Sequence, residues 1–351
     1  MPRYFFVVPE VSGPVGGVHV LLNCVDVLAD AGYDAYILYS SSHYTYRFAD
    51  PPSRTPYFHP PLAGAIKQLQ SRRTKFKTAM KSLQPTTQSG RNHRLEPHTD
   101  DVFMIPEFAY PEYASILSDY RCILIAQDVF SLSRAFTRDL EASRRTIDQF
   151  DIHLCTSEAS RAAVAEFAGR DCDLIPQVVS RASLDPSIPK KQQIAYMPRK
   201  RHEEINTVVR CLTRLPEMAG WPLVRIEGVS ALERDTILSE SLIFLSFSFQ
   251  EGFGLPPAEA MAAGCLVIGY TGVGGEEYFS PEYGYPIQDC DIVDFITTIK
   301  AVTSAYATDP KPLDRMREHA ATHIHTEYNT HRNRTELLRI WAKIDEMLRA
   351  S

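Results

Sequence analysis

The chain predicts an α/β protein of two successive parallel-sheet domains. Three observations predict it. An apolar run of strand length is followed by a glycine loop and a helical repeat; a second such series begins after a polar, proline-bearing join; and 351 residues exceed one ordinary domain while sufficing for two hydrophobic cores.

In order along the chain, residues 4–8 form a continuous apolar run that reads as a buried strand. A loop with Gly13, Gly16 and Gly17 follows, then a helical pattern over 18–31, in which Val18, Leu21, Leu22, Val25 and Leu28 recur at three- and four-residue steps. Gly32 suits the end of that helix, and 35–39 reads as the next strand. Residues 41–101 are irregular, rich in Ser, Pro and Thr, with a basic helix-like segment inside. Patterning resumes with strands at 102–105, 122–126, 152–156 and 173–179, and a helix at 157–167.

Residues 180–193 are polar and carry two prolines, so they read as a linker. The second series places strands at 194–197, 223–227, 242–248 and 265–270, with helices at about 203–215 and 257–263. A last helix spans about 331–348. This divides the chain into a first domain at 1–185 and a second at 190–329, with 330–351 returning to the first. Two such sheets imply a facing cleft, with ligands outside the carboxyl ends of the strands.

Composition narrows the function. Hydrophobic residues at 44% and charged residues at 23% are those of a globular protein. A net charge of −6 argues against a nucleic-acid partner, which calls for a surplus of Lys and Arg. The seven cysteines, with no CxxC pair, suggest reduced thiols rather than a zinc site or disulfide framework. The apolar N-terminal run is too short for a signal peptide, and no stretch reaches membrane-spanning length, so the expected location is the cytoplasm.

The most informative stretch is SFSFQEGFGLPPAEAMAAGCLVIGYTGVGGEE, residues 246–277. A strand ends in Glu251-Gly252-Phe253-Gly254, and Pro256-Pro257 opens a helix, where a missing N–H breaks no internal bond. Glycines admit a ligand close to the backbone, and amides at a helix start attract anions. Glu251 and Glu259, with seven residues between them, are expected to point into one pocket.

This segment resembles the retaining glycosyltransferases of family 4, which have the GT-B fold of two Rossmann-like domains. The resemblance implies that Glu251 contacts hydroxyls of a donor sugar and that Glu259 holds the ribose of its nucleotide. Backbone amides near Gly252, Phe253, Gly254 and Leu255 would meet the sugar and diphosphate. After the strand at 194–197, Arg199 matches the family's diphosphate-binding Arg. The family's later Lys is missing, since His202, Glu203 and Glu204 stand there, and Lys200 or Arg201 would substitute. Gly16-Gly17 resembles the glycine loop that faces donor phosphates and acceptor, and Glu277 lies where the family carries a Glu near the donor.

Where the family often shows a His near the sugar, this chain has Gln127-Asp128. That pair resembles a subset including some rhamnosyltransferases, and Asp128 reads either as a sugar or acceptor ligand or as an ordinary loop carboxylate. Residues 223–235 are shorter than in the family, so recognition of the base does not carry over.

The resemblance implies sugar transfer from a nucleotide-sugar co-substrate to a saccharide or lipid-linked saccharide, as in cell-surface polysaccharide synthesis. It implies no other cofactor and no metal, and the sequence offers no HExxH or suitably placed DxD. Residues 63–83 form a basic amphipathic segment that would suit peripheral contact with the inner membrane face, or simply a solvated insertion. A dinucleotide-dependent oxidoreductase is the first alternative, but strand two ends Tyr39-Ser40-Ser41 without the ribose-binding acid. A nucleotide-sugar-binding module without turnover, and an epimerase, are the others.

Overall fold

The computed structural model describes residues 2–13, 15–65, 92–179 and 182–350. It divides into two compact units: Met1–Thr156, Ser160–Ile175 and Arg334–Ser351 form the first, and Ser157–Ala159 with Pro176–Asn333 the second. Most of the basic segment at 63–83, from residue 66 onward, lies outside the described residues.

The first unit is an eight-stranded parallel sheet of order β4-β3-β2-β1-β5-β6-β7-β8. Its strands are β1 (Arg3–Val7), β2 (Asp34–Tyr39), β3 (Tyr57–Phe58), β4 (His93–Arg94), β5 (Val102–Pro106), β6 (Arg121–Ala126), β7 (His153–Cys155) and β8 (Asp173–Leu174). The chain runs outward from β1 through β2, then returns to β5 on its other side. The apolar run of β1 is continuous because both faces are covered: Tyr4 and Phe6 enter one core layer, Phe5 and Val7 the other. The first layer lies under α1 (Gly16–Asp30) and the C-terminal helix, the second under α2 (Tyr110–Ile116), α3 (Val129–Glu141) and α4 (Glu158–Ala168).

The C-terminal helix is docked by its aromatic face. Trp341 is fully buried, stacks on Phe6 at 5.6 Å and meets Tyr4 edge-on at 5.6 Å, while the Tyr4 hydroxyl donates to Asp345. Arg121 donates to the carbonyl of Leu348 at 2.7 Å, closing the helix's last turn.

The second unit is a five-stranded parallel sheet of order β10-β9-β11-β12-β13. Its strands are β9 (Lys191–Tyr196), β10 (Leu223–Arg225), β11 (Ser241–Phe247), β12 (Leu266–Tyr270) and β13 (Gly284–Pro286). Helices α5 (His202–Arg214), α6 (Ala231–Glu240), α7 (Leu255–Ala262), α8 (Ile292–Thr308) and α9 (Lys311–Glu327) cover it. Again alternate residues divide between layers: Ile243, Leu245 and Phe247 enter one, Phe244 the other. The join is tied down by Lys190, whose half-buried side chain donates to the carbonyls of Ser239, in the last turn of α6, and Ala263, at the end of α7.

Several elements depart from expectation. The predicted strand 173–179 shortens to Asp173–Leu174, and the irregular 41–101 region contributes β3 and β4 to the sheet edge. Helices α2, α3, α6, α8 and α9 and strand β13 have no counterpart in the sequence pattern. No helix among the described residues is long and apolar enough to cross a membrane.

Candidate functional site

In the second sheet the chain steps from β9 out to β10 and then returns to β11 on the opposite side of β9. The crevice at the carboxyl ends of β9 and β11 is therefore the sheet's topological switch point, where open parallel sheets bind ligands. Two loops converge there: Met197–Arg201 after β9 and Ser248–Gly254 after β11.

Arg199, Glu251, Pro256 and Pro257 line a small surface pocket there, with Ser246 and Ser248 of the β11 edge. Arg199 is exposed, and its guanidinium has no hydrogen-bond or ion-pair partner among the described residues. Lys200 does not stand free beside it: its Nζ lies 2.7 Å from Glu251 Oε1 and donates to the carbonyls of Phe249 and Gln250. Arg201 is a structural residue, 7% exposed, sandwiched between the rings of Phe249 and Tyr270 and paired with Glu204 and Asp289.

The Glu251 loop is built on a parallel bridge to Val273. The Glu251 amide donates to the Gly272 carbonyl at 3.0 Å, and Gly274 donates back to the Glu251 carbonyl at 3.1 Å. The approach is so close that a Cβ on Gly274 would lie 2.2 Å from the Gly252 oxygen. Gly254 caps α7 at φ +88°, a left-handed geometry that costs any residue with a Cβ.

Three residues other than glycine share positive φ around Glu251: Lys200 at +65°, Gln250 at +48° and Val273 at +77°. Val273, with ψ −64°, is a γ-turn of the strained hand, and a β-branched residue there is a marked outlier. Such strain gathers at binding sites whose surroundings over-determine the backbone.

The consequence is a row of unspent donors. The amides of Gly252, Phe253, Gly254 and Leu255 donate to no partner among the described residues, and Pro256 and Pro257 bring none. The loop and first turn of α7 thus present four amides and the positive end of a helix dipole beside Arg199 and its pocket. Tyr278, missed in the sequence, anchors this loop: its hydroxyl donates to the Gly254 carbonyl, and its ring packs 4.9 Å from Phe253. Its position straight after Gly274-Gly275-Glu276-Glu277 was the available signal.

Glu259 is 7% exposed and lies with Arg234 of α6 at 3.8 Å. It is not among the residues lining the pocket that holds Glu251. Glu251 is thus held toward the β9 loop by Lys200, and Glu259 lies beside Arg234 of α6. Glu277 does not face this pocket: its carboxylate accepts the Glu158 amide at 2.8 Å and the Tyr328 hydroxyl at 3.3 Å. Burial pushes it up to about 7, the neighbouring Glu158 charge adds to that, and the two donors oppose it.

In the first unit, Gly16 and Gly17 open α1, whose N-terminus has no side-chain cap and no acid in its first turn. The loop before it is pinned by two tyrosines: Val11 donates to Tyr44 and Val15 to Tyr46, both at 2.9 Å. Asp128 is the N-cap of α3, accepting from Phe130 and Ser131 amides, so its carboxylate already has a structural task. Glu10 reaches across to the end of β2, where one oxygen accepts from Ser40 Oγ and from both Ser41 N and Oγ. A cavity of this unit lies at the amino ends of β6 and β7, lined by Arg121, Asp151 and Met347, away from the carboxyl edges. No cluster of three metal-ligating side chains occurs among the described residues.

Residues 226–323 match the family Glycosyl transferases group 1, a span holding Glu251, Glu259 and Glu277 but not Arg199 or Lys200. An alpha-1,6-glucosyltransferase of Actinobacillus pleuropneumoniae is 26% identical over 212 residues, covering 58% of this chain and 61% of that protein's length. Among solved structures, sucrose-phosphate synthase from Thermosynechococcus elongatus superposes with TM-score 0.65 at 11% identity, over 100% of both chains. HepE from Anabaena, solved with UDP and glucose, gives TM-score 0.60 at 13% identity over 99% of this chain and 100% of its own. The pneumococcal O-GlcNAc transferase solved with UDP and GlcNAc gives 0.61 at 11% identity over 100% and 99%. The architecture is the GT-B fold of two Rossmann-like parallel-sheet domains, and the matched segment with these neighbours supports a glycosyltransferase of that fold.

Proposed function

We propose that the protein transfers a sugar from a nucleotide-sugar donor to a saccharide or lipid-linked saccharide acceptor, with retention at the anomeric carbon and without a metal. One observation carries the reading. At the β9–β11 switch point an exposed Arg199 stands beside four amides, none of them with a partner among the described residues, next to a carboxylate fixed by Lys200. Arginine grips two oxygens of a diphosphate, the amides offset its remaining charge, and a fixed carboxylate accepts hydroxyl hydrogens of a sugar.

Glu251 is the sugar-reading carboxylate and Glu259, backed by Arg234, the ribose-reading one. With the diphosphate stabilised as a leaving group, its own oxygen takes the acceptor proton on the face the donor vacates. Retention follows without a protein base, and the residues named act by charge stabilisation and placement.

The Gln127-Asp128 pair favours a rhamnosyl donor by resemblance, whereas the Actinobacillus relative, named a glucosyltransferase, favours glucose. The acceptor we favour is a cell-surface polysaccharide precursor, met at the cytoplasmic membrane face.

Saturation-transfer NMR against UDP-, GDP-, ADP- and dTDP-sugars identifies the donor, and the product's anomeric coupling after turnover in EDTA reports stereochemistry and metal use. The expected result is one preferred donor and a retained anomer. Failure of every nucleotide sugar to bind would overturn the reading, and binding without hydrolysis or transfer would leave a nucleotide-sugar-binding module.

A further inference from the structure

The first unit carries a polar pair that the donor site does not use. Glu107 follows β5 directly, at the carboxyl edge of the sheet beside β1 and β6, and is 5% exposed. Its Oε2 accepts the amide of Gln127 at 3.2 Å, and Gln127 is the first residue beyond β6. The Gln127 side chain lies against the start of α1, where a Cβ on Gly17 would come 3.1 Å from its Oε1. That oxygen is buried and receives no donor among the described residues. The amides of Gly16 and Gly17 donate to no partner among them either. A buried acceptor left unsatisfied costs stability, and it persists where a ligand supplies the missing donor.

We propose that Glu107 is a positioning residue, fixing the turn at Gln127 so that the Gln127 carboxamide oxygen meets a sugar hydroxyl beside the first turn of α1. This rests on the glycosyltransferase reading for the identity of the ligand, but the Glu107–Gln127 geometry stands apart from it.

The electrostatics supply a test. Burial pushes the Glu107 carboxyl up to about 8, outweighing the amide bond from Gln127 and the opposing charge of Arg134, while Asp128 reinforces it. Arg138 of α3 is engaged elsewhere, by the Phe108 carbonyl at 2.8 Å and Glu112 at 3.6 Å. Near neutral pH Glu107 is therefore an uncharged acid. Above about pH 8 it becomes a buried anion beside Asp128: the Gln127 amide then binds it more tightly, but the larger cost of burying that charge favours its leaving the turn.

The experiment measures kcat/KM for the productive donor from pH 6 to 10 in the full chain, alongside nucleoside-diphosphate affinity. Wild type should lose activity through an ionisation near pH 8. Glu107→Gln, which keeps a neutral acceptor, should retain most neutral-pH activity and lose that alkaline limb. Glu107→Ala and Gln127→Ala should each fall about 10–100-fold in kcat/KM, with nucleotide affinity within about twofold of wild type. An alkaline limb that survives in Glu107→Gln, or a Glu107→Ala loss that falls equally on nucleotide affinity, overturns the proposal.

Should no donor be turned over, the glycosyltransferase reading fails first, and titration of ¹³C-labelled Glu107 still decides this one. A carboxyl midpoint near 8 that the Gln127 amide shift follows supports it. A midpoint below about 6, or an amide that ignores the titration, overturns it.

Discussion

Lys200 Nζ sits 2.7 Å from Glu251 Oε1 and also donates to the carbonyls of Phe249 at 2.8 Å and Gln250 at 3.2 Å, so one side chain fixes both the carboxylate and the loop that carries it. The ammonium is partly exposed, which limits the ion pair to about 0.2–1 kcal/mol. The larger effect is loss of preorganisation. Lys200→Met should weaken donor binding about 3–10-fold with little change in unfolding midpoint, as read by calorimetry and thermal melts. Lys200→Gly should lose the same affinity while relieving the φ of +65°. Equal donor affinity in wild type and both variants would mean that Lys200 is not needed to place Glu251 for the donor.

Arg199 poses the opposite case. Its guanidinium has no protein partner among the described residues, so its removal leaves no orphaned charge behind. Arg199→Ala should weaken the nucleoside diphosphate by about 1.5–3 kcal/mol, roughly 10–100-fold, without altering stability. Arg199→Lys should recover only part of this, since a point charge replaces a planar fork. The measurement is nucleotide affinity in parallel with a denaturation curve; a matching drop in stability would assign Arg199 a structural role instead.

What could be read in the sequence follows from where the physics is local. The runs at 4–8 and 242–248 are legible because strands covered on both faces carry an unbroken apolar stretch, here 4–8 and 242–245. Two of the missed helices have inner faces that are partly polar or small: α6 buries Asp235 and Ser239 beside Leu238, and α9 packs Ala320 and Ala321 between Leu313 and Ile324. In the site, the step from Glu251 to Glu259 is a matter of sequence spacing, and so was visible. That Glu259 lies beside Arg234, and that Asp128 is taken up in capping α3, are tertiary facts with no local trace. Glu107 was visible only as an acid after an apolar strand; its burial depends on helices that sequence pattern alone did not reveal.

Gly274 tests the bridge under the amide row. A Cβ there would lie 2.2 Å from Gly252 O and 2.5 Å from Phe253 N, both backbone atoms that cannot swing aside. Gly274→Ala should therefore break the pairing between the Glu251 and Val273 loops, destabilise the unit by about 2–4 kcal/mol and abolish measurable donor binding. Gly275→Ala is the control, since its nearest neighbour is the Tyr278 hydroxyl at 3.3 Å. Chemical denaturation with parallel nucleotide titration separates the two variants; equal tolerance of both would mean the bridge is not needed.

Glu277 gives the second unit a pH signature of definite sign. Its carboxyl is raised from an ordinary 4.5 to about 7, chiefly by burial. Below pH 4.5 folded and unfolded chains both hold the proton. Between 4.5 and 7 only the folded chain holds it, so stability falls as pH rises through that window and levels off above it. Partial solvent access trims the ~3 kcal/mol that such a shift would carry to about 1–2 kcal/mol. Glu277→Gln is neutral throughout and keeps an acceptor for the Glu158 amide, so its urea-unfolding free energy should lose this slope and exceed wild type at pH 8. A wild-type profile that Glu277→Gln follows in parallel between pH 5 and 7 would mean that the carboxyl ionises alike in the folded and unfolded chains, its bonds to Glu158 and Tyr328 offsetting its burial.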